Sequence, residues 1–304
     1  MRDIHALAQR ATAERPLRLA VASAAEAHII EALKGAVAAK YVEPVLFGDE
    51  AKIRALCDAH DLAASKVSIQ HTATRLEAGT KAVQAVSSGD CDLMMKGYIQ
   101  TAALMREVLN KDYGLRTGAK LSHILVFDAP HYDKLFFMSD GALNIDPDLS
   151  LKLEIVTNAV AVARRLGVEL PKVALIAAIE TVDLAQQSSV DMALIAKMAD
   201  RGQLKGALVD GPLALDNAIN PHAAEVKRIA SQVAGHADVL IVDNIDVGNV
   251  FYKSLVYFAD AQVAGVIAGS RAPIVLTSRA DSSETKFNSV ALACVLAAQD
   301  TVGS

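Results

Sequence analysis

Tryptophan is absent from the 304 residues, and aromatic residues make up only 4% of them. A core short of rings must be filled by aliphatic side chains, and the apolar fraction is 52%, mostly Ala, Val, Leu and Ile. That filling suits helices packed on a parallel sheet. Cysteine is scarce too. Cys57, Cys91 and Cys294 are far apart and odd in number, so no disulfide framework or metal cluster is suggested. Each is expected to be a small buried apolar residue. Surplus positive charge is missing: 30 basic and 35 acidic residues leave a net charge of −5, so no nucleic acid and no acidic membrane surface is implied as a partner. No apolar run reaches the length of a membrane span. The opening residues, M-R-D-I-H-A-L-A-Q-R, lack a signal-peptide layout, and a soluble cytoplasmic protein is expected. There is no H-E-x-x-H or paired C-x-x-C, so no metal site is expected. No G-x-G-x-x-G follows a strand, which leaves a nicotinamide Rossmann site unsupported.

What is present is alternation. A helix over residues 3–14 precedes a strand at Arg18–Ser23, a helix at Ala24–Lys40 and a strand at Val42–Phe47. Ile29, Ile30, Leu33 and Val37 share one face of that second helix. This is a βαβ unit, which calls for a parallel pair and a right-handed crossover. Helices at 51–61 and 76–87 flank a short strand at 67–70, and Leu93–Met95 is the next strand. Ser122–Phe127 and Lys134–Met138, joined by D-A-P-H-Y-D, read as an antiparallel hairpin and a natural place for a domain boundary. Alternation then resumes. It runs through a helix at Ser150–Leu166, a strand at Val173–Ala178, a helix at Asp191–Asp200 and a strand at Ala207–Val209 with a loop over Asp210–Asp216. A helix at Pro221–Ala234 and strands at Val239–Val242, Gly265–Ala268 and Ile274–Leu276 follow. The pattern predicts an α/β fold of two lobes, with doubly wound, mostly parallel sheets and helices on both faces. One lobe is expected from residues 1–124 plus 280–304, the other from 125–279.

Polar residues gather at the strand ends, where α/β proteins bind ligands. After Ile274–Leu276 come Ser278, Arg279, Asp281 and Glu284, at the start of a helix. Free amides there favour an anion. Asp281 and Glu284 also have the spacing of a capping box, with Asp281 as N-cap. That leaves Arg279 unexplained, since a helix start is a poor place for a cation. Lys96, ahead of Gly97, is either a phosphate contact or a side chain pointing to water. Thr101 is expected to cap the helix that carries Arg106. Asp140 and Asn144 either contact a ligand or close their own turns. His123, beside Ser122 in a strand, reads first as a structural histidine. Asn249 is expected to cap a helix carrying Lys253. Lys96, Arg106, Lys253 and Arg279 together would suit a polyanion in a shared cleft.

At this point the chain resembles the phosphate acetyl/butyryl transferases. The matching stretches include M-K-G-Y-I-Q-T-A-A-L-M-R, L-S-H-I-L-V-F, F-F-M-S-D-G-A-L-N-I-D-P, V-D-G-P-L-A-L-D-N-A-I, V-G-N-V-F-Y-K and P-I-V-L-T-S-R-A-D-S, in order from Met95 to Ser282. The wording T-S-R-A-D and the overall length are closer to the butyryl branch. The resemblance implies a two-lobed fold similar to the isocitrate/isopropylmalate dehydrogenases, an active site in the inter-lobe cleft, and a homodimer. It implies the reversible reaction of acyl-CoA with phosphate to give acyl phosphate and CoA, with no cofactor. It implies catalytic roles for Ser278, Arg279, Asp281 and Glu284. Substrate-binding roles fall to Lys96, Thr101, Arg106, Ser122, His123, Asp140, Asn249 and Lys253. The acetyl branch has an aspartate seven residues after the serine, where this chain has Thr285, which leaves the base open between Asp281 and Glu284. Asp243 stands where the family often has proline, a departure expected to be minor. A dehydrogenase of similar architecture using metal and NAD, and a non-catalytic acyl-CoA-binding regulator, are the alternatives.

Overall fold

The computed structural model describes residues 3–11 and 15–300. The last residues of the helix expected over 3–14 fall outside that range. The described residues form two compact units, one drawn from 4–119 and 263–300, the other from 120–262 with Asp3. The return to the first unit thus falls at 262/263, whereas the sequence placed it at 280.

In the first unit, α1 (Ile4–Arg10) leads to β1 (Leu17–Ala22), α2 (Ala27–Ala38), β2 (Val42–Gly48), α3 (Glu50–Ala59), β3 (Ser68–His71), α4 (Arg75–Ser87), β4 (Leu93–Lys96) and α5 (Thr101–Val108). The second unit holds the antiparallel hairpin β5 (Ser122–Asp128) and β6 (Phe136–Ser139), then α6 (Leu149–Arg165), β7 (Lys172–Ile176) and α7 (Gln187–Asp200). It continues with β8 (Leu208–Leu213), α8 (Leu215–Ile219), α9 (Pro221–Val226), β9 (Val239–Ile241) and α10 (Ile245–Phe258). The chain then returns to the first unit as β10 (Gln262–Ala268), β11 (Ile274–Val275) and α11 (Ser283–Asp300).

Strands of the first unit lie in the order β3-β2-β1-β4-β11-β10, all pairs parallel except β10–β11. Strands of the second lie in the order β5-β6-β9-β7-β8, parallel except in the hairpin. Apart from Arg18 in β1 and the last residue of β5, the central strands are buried, as in a sheet covered on both faces. Register puts Ala22 opposite Lys96 and Val275 opposite Met95, so β1, β4 and β11 end side by side.

Local punctuation differs from the sequence reading at several points. Residues 210–213, expected in a loop, continue β8. The helix from Pro221 stops at Val226, because Arg228 turns left-handed (φ 55°) and the Ser231 hydroxyl accepts the amides of Val233 and Ala234. Thr101 is the first residue of α5, and its N-cap is Gln100. Asn249 lies inside α10, whose start is capped by Asn244 accepting from Val247 N.

Candidate active site

The ends of β1 and β4 meet with no room to spare. Gly97 N donates to Ala22 O and Tyr98 N to Ser23 O, each at 2.8 Å. A Cβ on Gly97 would stand 2.2 Å from Ser23 O, so only glycine allows this approach. The joint turns Lys96 inward: it is 8% exposed. Its Nζ has a long contact to Gly97 O, 3.4 Å, and no carboxylate among the described residues lies within 4 Å of it. Burial lowers its pKa below the ordinary lysine value, Arg279 and Lys286 push the same way, and Glu26 and Asp281 oppose them.

Beside Lys96, the chain leaving β11 forms the turn Ser278–Asp281. The Asp281 carboxylate accepts from Ser278 N, and Asp281 N donates to Ser278 O at 3.3 Å. Asp281 is therefore not the helix cap. Ser282 takes that place, its hydroxyl accepting Thr285 N at 3.0 Å and its carbonyl accepting Lys286 N at 3.2 Å. The predicted capping box is corrected by one residue: Glu284 cannot be its reciprocal partner, and its exposed carboxylate makes no hydrogen bond or ion pair with the described residues. The exposed Arg279 guanidinium lies over the Tyr98 ring, Cζ 4.5 Å from the centroid, and Arg75 lies over the same ring at 3.9 Å. A cavity of about 260 Å³ adjoins them, walled by Ser23, Lys52, Thr72, Arg75 and Tyr98 among others.

Lys286, in the first turns of α11, is 3% exposed. Its Nζ donates to Asp281 O, and burial lowers its pKa although Asp281, Glu26 and Glu31 pull it up. Sequence reasoning passed over this lysine. The available signal was its place on the helix face of Val290, Ala293 and Ala297, all buried. Tyr98 and Arg75 were missed as well.

Of the residues expected at the site, the first unit thus gathers Lys96, Ser278, Arg279 and Asp281. Thr101 is half-buried at the start of α5, and Arg106 is exposed in its last turn, bonded to Ala102 O. Glu284 also belongs to the first unit, and the remaining expected residues belong to the second. There Ser122 is fully buried and accepts from Asn158 Nδ2 at 2.9 Å. The Asp140 carboxylate is filled by donors: His123 N, Ala142 N, Leu143 N and Asn144 Nδ2. That gives Asp140 and Asn144 the turn-closing role. His123 is 4% exposed. Asn249 and Lys253 lie along α10, the lysine exposed. All three cysteines are buried thiols, and burial pushes Cys91 up to about 11 and Cys294 up to about 12.

The buried Lys96 and the exposed Arg279 lie at the carboxyl ends of parallel strands, the edge where open α/β sheets hold their ligands. Residues 69–294 match the family described as phosphate acetyl/butaryl transferase, and the chain belongs to that family. It is 44% identical to a phosphate butyryltransferase from Clostridium beijerinckii, over 93% of this chain and 94% of that one. It is also 44% identical to a phosphate acetyltransferase from Thermotoga maritima, over 92% and 95%. Among solved structures, a branched-chain phosphotransacylase from Enterococcus faecalis superposes with a TM-score of 0.82 at 33% identity, covering 92% of this chain and 99% of that one.

Proposed function

We propose that this protein moves a short-chain acyl group between CoA and inorganic phosphate, reversibly, and that the Lys96–Arg279 cluster is where phosphate reacts. The observation that carries the reading is a contrast between buried lysines. Lys152, 3% exposed, is compensated by two carboxylates, Asp191 at 2.8 Å and Asp243 at 2.6 Å. Lys96 has none. An uncompensated buried cation is costly to the fold, and an arriving phosphate removes that cost.

In the forward direction a phosphate oxygen, held by Lys96, attacks the thioester carbonyl. Negative charge grows on the carbonyl oxygen, and Arg279 with the Ser278 hydroxyl stabilises it. The C–S bond breaks and the sulfur leaves as thiolate. In reverse, the CoA thiol must lose its proton; with a pKa of about 8.5 it needs modest help. The Asp281 carboxylate already accepts the Ser278 amide, so Glu284 is the carboxylate left for proton transfer. Holding both substrates in register supplies much of the rate. We assign no metal or redox cofactor to these steps.

The T-S-R-A-D wording and the overall length favour four-carbon or branched acyl chains, while overall identity to a butyryl- and to an acetyl-transferring relative is the same, 44%. The test is CoA release from acetyl-, propionyl-, butyryl- and branched acyl-CoA, with and without phosphate. We expect release that depends strictly on phosphate, is fastest for four-carbon or branched chains, and survives EDTA. Binding of CoA with no acyl phosphate formed would reject the reading in favour of a regulator.

A further inference from the structure

Lys286 takes no part in the steps above, yet like Lys96 it is buried, 3% exposed. No carboxylate among the described residues lies within 4 Å of its Nζ. Burying an ammonium without a counter-charge is expensive, and a neutral side chain of similar length would fill the same volume more cheaply. What the ammonium does contact is the turn. Its Nζ donates to Asp281 O; the Asp281 carboxylate holds Ser278 N; and Arg279 follows, laid over Tyr98. One side chain on α11 thereby ties down, through Asp281, both residues assigned to the reacting carbonyl.

We infer that Lys286 is a positioning residue for acyl transfer, fixing the aim of Ser278 and Arg279 through Asp281 while adding positive charge for the phosphate. The inference rests on the functional reading above. Glu26 and Glu31 on the α2 side, Asp281 on the turn, and Lys96 and Arg279 across from it are the charged groups that bear on this ammonium and its surroundings. Their attraction raises its pKa against the effect of burial, which keeps positive charge at this position for an anion.

The experiment compares wild type with Lys286→Met, which keeps the apolar stem, and Lys286→Gln, which keeps a donor but loses the charge. For each, kcat, the phosphate KM and the melting temperature with and without phosphate are measured. Lys286→Met is expected to melt at or above the wild-type temperature. Its kcat/KM for phosphate should fall about tenfold or more, the scale of one lost charged hydrogen bond. Its stabilisation by phosphate should shrink. Lys286→Gln should recover much of kcat but not the phosphate KM. A lower melting temperature with wild-type kcat and KM per folded molecule in both variants would overturn the inference and leave a structural brace. So would no change in any quantity. If Lys286→Met does not fold, the same readouts on Lys286→Gln decide. A wild type inactive with every acyl-CoA would instead reject the functional reading. The phosphate-induced melting shift would still report separately whether Lys286 serves an anion.

Discussion

Arg279 is exposed and held by stacking on Tyr98 rather than by a carboxylate. Removing it should therefore cost little stability and much rate. Arg279→Ala is expected to lower kcat about a hundredfold or more, as loss of an oxyanion donor does, with a melting temperature near that of wild type. Steady-state CoA release together with thermal unfolding checks both halves; near-normal turnover would remove Arg279 from the mechanism. The arginine was legible in the sequence because nothing about a helix start explains a cation there. The capping residue was not. In D-S-S-E-T several side chains can close the first turn, and which one does depends on where β11 releases the chain. Lys286 escaped for a different reason: lysines are solvated so regularly that one on an apolar helix face is read as an exception to the pattern instead of as a signal.

At the scale of elements, alternation of short apolar runs with amphipathic segments gave the order of strands and helices, since period 2 and period 3.6 are local properties. Long-range compensation was invisible. Asp243, taken as a minor departure, is one arm of an ion triad that joins α6, α7 and the end of β9 through Lys152. Burial alone would lower the Lys152 pKa, but its hydrogen bonds to Asp191 and Asp243 win and raise it. Gln187 completes the cluster by donating to Asp191 at 2.7 Å. Taking away the lysine strands two carboxylates. Lys152→Met is expected to lose roughly 3–5 kcal/mol in urea unfolding, the cost of breaking a buried pair, while the folded fraction keeps its turnover. An unchanged urea midpoint would mean that the triad is solvated and worth little.

For the whole molecule, the unpaired lysines set a pH dependence with two opposite signs. Lys96 and Lys286 have folded pKa values below the ordinary lysine value of about 10.4. Between the lowered and the ordinary values the unfolded chain holds protons that the folded chain has released, so stability rises with pH in that window. Below it both states are protonated, and the full burial cost is present. Phosphate follows the other sign, since it needs the charged lysines. Melting curves taken as pH rises toward the ordinary lysine value should show stabilisation by phosphate fading while the free protein gains from these groups. An increment from phosphate that grows with pH would contradict this.

The sunken thiols have a bearing on the cell's redox chemistry. A protein that handles CoA meets a free thiol at every turnover, and that thiol can be oxidised to a disulfide in solution. Exchange with that disulfide requires an accessible thiolate on the protein. Cys91 and Cys294, at about 11 and about 12, offer almost none, and Cys57 is raised in the same direction. The coenzyme can therefore change oxidation state beside this chain without becoming attached to it.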